Sequence, residues 1–164
     1  MFSTQNFRIL DINEYDFPRI VKIYNSNRKF LERHLGREFI DEQWVLREYE
    51  DMFLRGFVSN KIMDKKSSEI IGFIDFKIAE ETYLSLLMLH HDQKNRGIGK
   101  EIIIGFKEYA KNLNSHSIRI DVIGDYDESV LKFWINNGFK FQSQVKLSWN
   151  NKDLVAMKMV NDML

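Results

Sequence analysis

The sequence predicts an α+β fold with a mixed, mostly antiparallel central sheet and helices on both of its faces. Two observations carry this expectation. Three apolar runs in the first half are joined by short polar stretches at residues 64–68 and 80–81, which is the pattern of antiparallel hairpins. The second half then alternates helix-period and strand-period segments, which adds a β-α-β crossover to those hairpins.

The elements follow in order. Residues 7–12 alternate and read as a first strand. Asn13 is placed to cap a helix that begins near Glu14, with Pro18 close to its start and Phe17, Ile20, Val21 and Tyr24 on one face. Residues 25–37 are polar and aromatic by turns and read as helix plus loop. Asp41 opens another helix, with Trp44, Val45, Glu48 and Met52 at helical spacing. Strands are expected over residues 57–63, 69–78 and 82–89, the last with Leu84, Leu86, Leu87, Met88 and Leu89 buried on both faces. A helix over residues 97–113 aligns Ile98, Ile102, Phe106, Tyr109 and Leu113. A strand at 117–123 precedes a helix at 128–137 with Val130, Leu131, Trp134 and Ile135 inward, and Gly138 stands where a left-handed stop is needed. A last hairpin, 139–149 with 154–160, turns at Asn150, Asn151, Lys152 and Asp153.

The 164 residues suit one domain spanning 1–164, and a chain of this length buries roughly two-thirds of its surface. Lys plus Arg and Asp plus Glu number 24 each, so the basic excess of a nucleic-acid binder is missing. Cysteine is absent, which removes disulfides, thiolate metal sites and a cysteine nucleophile, and no metal site is expected. Residues 1–7 lack the basic-then-apolar pattern of a signal peptide, and the longest apolar runs fall short of a membrane span, so a cytoplasmic protein without membrane contact is expected.

The segment with the most chemistry runs from Leu87 to Lys100. A buried strand enters a polar loop with two glycines and then an amphipathic helix. A helix start leaves backbone N–H groups without partners, and its dipole favours an anion. Gly97 and Gly99 let a phosphate approach the backbone, and Lys94, Arg96 and Lys100 add positive charge. A Walker A loop would need glycine at Lys94 and Ser or Thr at Glu101, and a dinucleotide fingerprint would need glycine at Ile102, so both fail.

Lys94-Asn95-Arg96-Gly97-Ile98-Gly99 resembles the Gln/Arg-x-x-Gly-x-Gly/Ala signature of the GNAT superfamily of N-acetyltransferases, with Lys94 in place of the usual first residue. A second stretch, Asp127 to Phe139, is similar to that family's Asn-x-x-Ala-x-x-Phe-Tyr-x-x-x-Gly-Phe, with Phe133, Gly138 and Phe139 in register, Asp127 for Asn, Val130 for Ala and Trp134 for Tyr. The resemblance covers residues 72–160 in element order.

The resemblance implies a GNAT-like fold and acetyl-CoA as co-substrate, without a metal. It places the cofactor against Met88, Leu89, Lys94, Asn95, Arg96, Gly97, Ile98, Gly99, Lys100, Asp127, Phe133 and Trp134. It implies transfer of an acetyl group to the primary amine of a small molecule by direct attack. A protein or peptide amine as acceptor, and a non-catalytic acyl-CoA-binding domain, are the alternatives. A homodimer is common in the family, and composition is silent on it. No catalytic residue is named: an indole N–H at Trp134 is no usable acid, Tyr126 or a water could serve, and Asp75, Glu81, Ser85 and His90 lie in or near the central strands as candidate bases. Phe30, His34 and Trp44 could line a substrate pocket or simply be core. His90 and His91 stand at a strand end and invite a catalytic reading, but a histidine there is more often plain surface; His34 and His116 have no supporting pattern.

Overall fold

The computed structural model describes residues 1–149 and 151–163. One eight-stranded sheet runs through the chain in the order β1-β2-β3-β4-β5-β6-β8-β7. Its strands are β1 (Phe2–Ser3), β2 (Phe7–Asp11), β3 (Val58–Asp64), β4 (Ile70–Lys77), β5 (Glu81–Leu89), β6 (Ser117–Val122), β7 (Lys140–Trp149) and β8 (Lys152–Asp162). Every neighbouring pair is antiparallel except β5 and β6, which are parallel. The helices are α1 (Phe17–Asn25), α2 (Arg28–Phe30), α3 (Glu42–Leu54), α4 (Ile98–Asn112) and α5 (Glu128–Asn136). The expected mixed sheet is therefore present. The short β1 was not foreseen, and the expected turn at residues 150–153 falls partly outside the described residues, with Lys152 and Asp153 already in β8.

Local chemistry explains the first helix. The Asn13 side chain accepts from the Tyr15 N–H, and Asp16 accepts from the Asn13 N–H, a reciprocal cap on the 3-10 turn that leads into α1. Pro18 sits in the first turn, where its missing N–H costs nothing. After α2 the chain widens into a π-type turn at Leu31–Leu35 and stops at Gly36, whose φ is +64°.

Alternation in β4 separates two cores. Ile74 and Phe76 pack with Ile102, Phe106 and Phe139 under α4 and α5. Phe73 packs with Tyr24, Trp44 and Met88 under α1 and α3. The sequence reading errs at two helix ends. Leu113 and Ile135 are exposed: Leu113 is the cap residue past the last turn of α4, and Ile135 turns away from the α5 side that buries Trp134.

A register shift between β4 and β5 governs the centre of the sheet. Asp75 lies opposite Leu86 and Phe76 opposite Leu84, so Ser85 is an extra residue, a β-bulge. The bulge reverses the parity of β5. Leu84 belongs to the α4–α5 core, while Leu86 and Met88 turn to the α1–α3 core. The run that reads as buried on both faces is thus a strand that changes face at Ser85.

One buried ion pair ties α1's entry to the sheet. Lys61 Nζ on β3 lies 2.7 Å from Asp16 Oδ2, and both side chains are 11% exposed. Removing one partner strands a buried charge, so Lys61→Met is expected to lower unfolding free energy by about 3–5 kcal/mol. Adding Asp16→Asn should recover part of that loss. Urea denaturation of both variants measures it, and equal stability of the single and double variants would refute the coupling.

Candidate active site

The site begins where β5 and β6 part. They pair only at Glu81–Ser117, Thr82–Ile118 and Tyr83–Arg119. Beyond the bulge β5 stays with β4 while β6 stays with β8, and a cleft of about 770 Å³ opens between them. Antiparallel ladders alternate, so backbone directions along β5 can be assigned. The His90 N–H donates to Ile71 O at 2.8 Å, which makes residues 71/90, 73/88 and 75/86 the mutually bonded pairs. The amides of Leu87 and Leu89 therefore face away from β4, towards the cleft. The Leu89 carbonyl already accepts from Asn27 Nδ2 at 3.0 Å on that side. The expected backbone pair of Met88 and Leu89 is corrected accordingly: Met88 turns its backbone to Phe73, and the neighbouring amide on the cleft side is that of Leu87.

The loop after β5 supplies the second part. His91–Gln93 forms a 3-10 turn, and its first amide donates to Ser26 Oγ at 3.0 Å, which fixes the loop to the end of α1. Asn95 and Gly97 take left-handed backbone, φ +60° and +77°. Gly97 caps α4 with no side-chain bond, and Glu101 N–H, donating to Gly97 O at 3.1 Å, begins the helical ladder. The amides of Ile98, Gly99 and Lys100 are the unpartnered start of a fifteen-residue helix. With the turn before them they form a concave set of donors suited to an anion.

Lys94, Asn95, Gly97, Ile98, Gly99 and Lys100 line the cleft, as do Asp127, Phe133 and Trp134. Arg96 does not line it; its guanidinium reaches back to Gln93 Oε1 at 3.3 Å. The two glycines differ. A Cβ on Gly97 would meet open space, so Gly97 is needed for its positive φ. A Cβ on Gly99 would lie 3.1 Å from the Phe133 ring. Gly99 therefore lets α4 lie against α5, a role that the sequence reading of the two glycines did not include. Trp134 is 5% exposed and stands edge-on to Phe133 and Phe139, so it is both core and cleft wall. Asp127 caps α5, accepting from the Ser129 amide and hydroxyl. The Ser129 bonds hold its carboxyl below the usual range, and Lys29 and Lys94 add to the effect. Burial lowers the Lys94 ammonium.

The other end of the cleft was less visible in the sequence. Glu48, Asp75, Phe30, His34, Tyr126 and Trp149 line it. His34 stacks on Phe30 and stands edge-on to Tyr126 and Trp149. Its Nδ1 is 3.1 Å from Phe30 O, and burial pushes the imidazole down to about 4, so the neutral ring donates from Nδ1. Burial pushes the Tyr126 phenol up to about 12. Trp149 Nε1 donates to Glu48 Oε1 at 2.9 Å. Next to His34 and Tyr126 in the chain, Arg33 makes a bidentate pair with Asp125. Trp44 is core rather than lining. Glu81 and His90 lie outside the lining, and Glu81 pairs with Lys158. Among the described residues no group of His, Asp or Glu side chains is arranged to hold a metal ion, and no helix is long and apolar enough to cross a membrane.

Residues 26–161 match the family described as Acetyltransferase (GNAT) domain. That match covers most of the chain, and the chain belongs to the GNAT family of acyltransferases. Solved structures carry the same fold. A GNAT-family acetyltransferase from Bacillus anthracis aligns over 99% of this chain and 98% of its own, at 11% identity and a TM-score of 0.78. A spermidine N-acetyltransferase from Vibrio cholerae, in complex with CoA and spermine, aligns over 96% of each chain at 13% identity and a TM-score of 0.74. A ribosomal L7/L12 alpha-N-protein acetyltransferase in complex with coenzyme A covers 97% of this chain and 95% of its own, at 14% identity and a TM-score of 0.75. No curated protein matches the chain by sequence.

The two glycines give a stability test. Gly97→Ala forces a left-handed alanine and should cost about 1–2 kcal/mol. Gly99→Val drives a branched side chain into Phe133 and should cost about 1–3 kcal/mol through overpacking. Only the second loss should shrink when Phe133→Leu is added, as measured by urea denaturation. An undiminished loss would show that the α4–α5 contact is not what Gly99 protects.

Proposed function

We propose that the protein transfers the acetyl group of acetyl-CoA to the primary amine of a small molecule by direct attack. The observation that carries this reading is the cleft between β5 and β6, which is open to an anion cradle at one end and to a carboxylate-bearing chamber at the other. The volume and donors fit the cofactor. The amides of Ile98, Gly99 and Lys100 would hold its pyrophosphate, with Lys94 adding charge, and the edge of β5 would bond its pantetheine arm. Bound there, acetyl-CoA supplies an activated acyl group. With the thioester beside β5, a cleft-facing amide of Leu87 or Leu89 would meet the carbonyl oxygen as it gains charge, and such preorganised donors contribute much of the rate in acyl transfer. Holding both reactants in one cleft contributes more. The Vibrio cholerae neighbour, solved with CoA and spermine, supports an amine as acceptor.

CoA at about a hundred times its Kd should raise stability by roughly 2.7 kcal/mol, seen as a higher melting temperature, with NAD and ATP doing less. Gly97→Val should weaken CoA binding on the order of a hundredfold, since two charge-assisted hydrogen bonds at about 1.5–3 kcal/mol each are lost. Free-thiol release from acetyl-CoA with a panel of amines measures turnover. Stabilisation by ATP but not CoA would reject the cofactor, and CoA binding without turnover on any amine would favour a non-catalytic binding domain.

A further inference from the structure

Asp75 and Glu48 stand together at the end of the cleft opposite the anion cradle, one from β4 and one from α3. Asp75 is 7% exposed, yet it lines the cleft. Among the described residues neither carboxylate has a cation within 4 Å. This is unusual for this molecule. Asp16 is paired with Lys61, and Asp121, another carboxylate on the cleft wall, is gripped by Arg119 and by the Tyr83 hydroxyl. A buried carboxylate beside a half-buried one, neither in an ion pair, is costly, and here they open onto a space that a ligand can enter. Glu48 is also held in place by the Trp149 indole N–H, and the Phe30, His34 and Trp149 rings wall the same chamber. Aromatic faces beside carboxylates favour an alkylammonium ion.

Register sets the distance to the reacting end. Asp75 lies directly opposite Leu86, one residue before Leu87, whose amide faces the cleft. A group delivered between them is within reach of both strands. We propose that Asp75 and Glu48 form the site that receives the acceptor's ammonium group, and that Asp75 is the base that takes its proton. This rests on the acyl-transfer reading above. In the step, Asp75 accepts one proton from the ammonium. The freed nitrogen forms a C–N bond to the acetyl carbonyl carbon as the C–S bond breaks. The nitrogen's remaining surplus proton passes to the sulfur, and Asp75 returns its own proton to water.

Two charges act on Glu48 from α3 and its cap: Asp51 raises its carboxyl, and Arg55, itself paired with Asp51, lowers it from beyond ion-pair distance. From α1 Tyr24 and from α3 Glu48 face Asp75, and from β3 the Ser59 hydroxyl eases its charge. Burial, helped by Glu48, pushes the Asp75 carboxyl up to about 7, and burial also raises Glu48. A carboxyl raised in the fold favours the folded state most below its unfolded value. That advantage is lost as pH rises through about 7. A cation bound there restores stability above that pH and adds little below it.

Two measurements test the proposal. In the first, melting temperature is followed with n-butylamine, 1,5-diaminopentane and neutral 1-butanol at pH 5 and pH 8. The amines should stabilise more at pH 8, 1-butanol should not stabilise at either pH, and Asp75→Asn should abolish the pH-dependent gain. Amine stabilisation that is absent, or unchanged in Asp75→Asn, overturns the site. In the second, with whichever amine turns over, Asp75→Asn should lower kcat by about 10²–10⁴-fold and flatten the acidic limb of the pH profile. Glu48→Gln should act mainly on the amine KM. CoA affinity should hold in both. A limb that survives in Asp75→Asn but vanishes in His34→Gln would move the base to His34. If Asp75→Asn does not fold, the amine-dependent melting of Glu48→Gln decides: an undiminished gain overturns the site. Amines that stabilise through Asp75 without any turnover would leave the amine site standing and defeat the acyl-transfer reading instead.

Discussion

A strand paired along one side must find other partners for the backbone groups on its open side, and from the Ser85 bulge onward β5 is in that position. The candidate site hangs on that parting. β6 cannot follow β5, because it is committed to β8 over its whole length. The bulge turns Leu86 and Met88 towards α1 and α3, so the helices on that side come to face the opening. Asn27 then answers the Leu89 carbonyl, and Ser26 answers the His91 amide, which brings the end of α1 to the rim.

The two ends of the cleft are built by opposite electrostatic logic. At one end, amides without acceptors and the lysines of the loop call for negative charge. At the other, carboxylates without cations call for positive charge. Apolar rings of Phe133, Trp134, Phe30 and Trp149 wall the same cleft. On the proposed reading, an anionic cofactor and a cationic acceptor would enter from these two sides, the arrangement that a two-substrate transfer needs.

How much of this the sequence shows depends on the length of the signal. Long periodic elements such as α4 and β4 were legible because many residues repeat the same message. The loop from Lys94 to Lys100 was legible because glycines, cations and a helix start coincide. The bulge was not, since a single extra residue in a leucine-rich strand leaves the apolar pattern intact while exchanging its faces. Asp75 looked like one polar position in a buried strand, and only pairing with α3 shows that its neighbour is Glu48. Ser26, Asn27 and Lys29 sit in a stretch whose π-type turn has no periodic signature. The role of Gly99 was hidden because glycine that spares a phosphate and glycine that spares a phenylalanine are the same letter.

At the far end of the sheet, β7 pairs with β8 on one side only, and its ten residues form a long edge. Such an edge is a template on which another chain can add a strand. Most of its side chains are polar and exposed, and Lys140 and Lys146 place charges along it. Charge so placed makes docking of a like copy repulsive. Two lysines spaced along one bare edge thus act as a built-in deterrent, lowering the tendency of β7 to template a strand from a like copy without covering it.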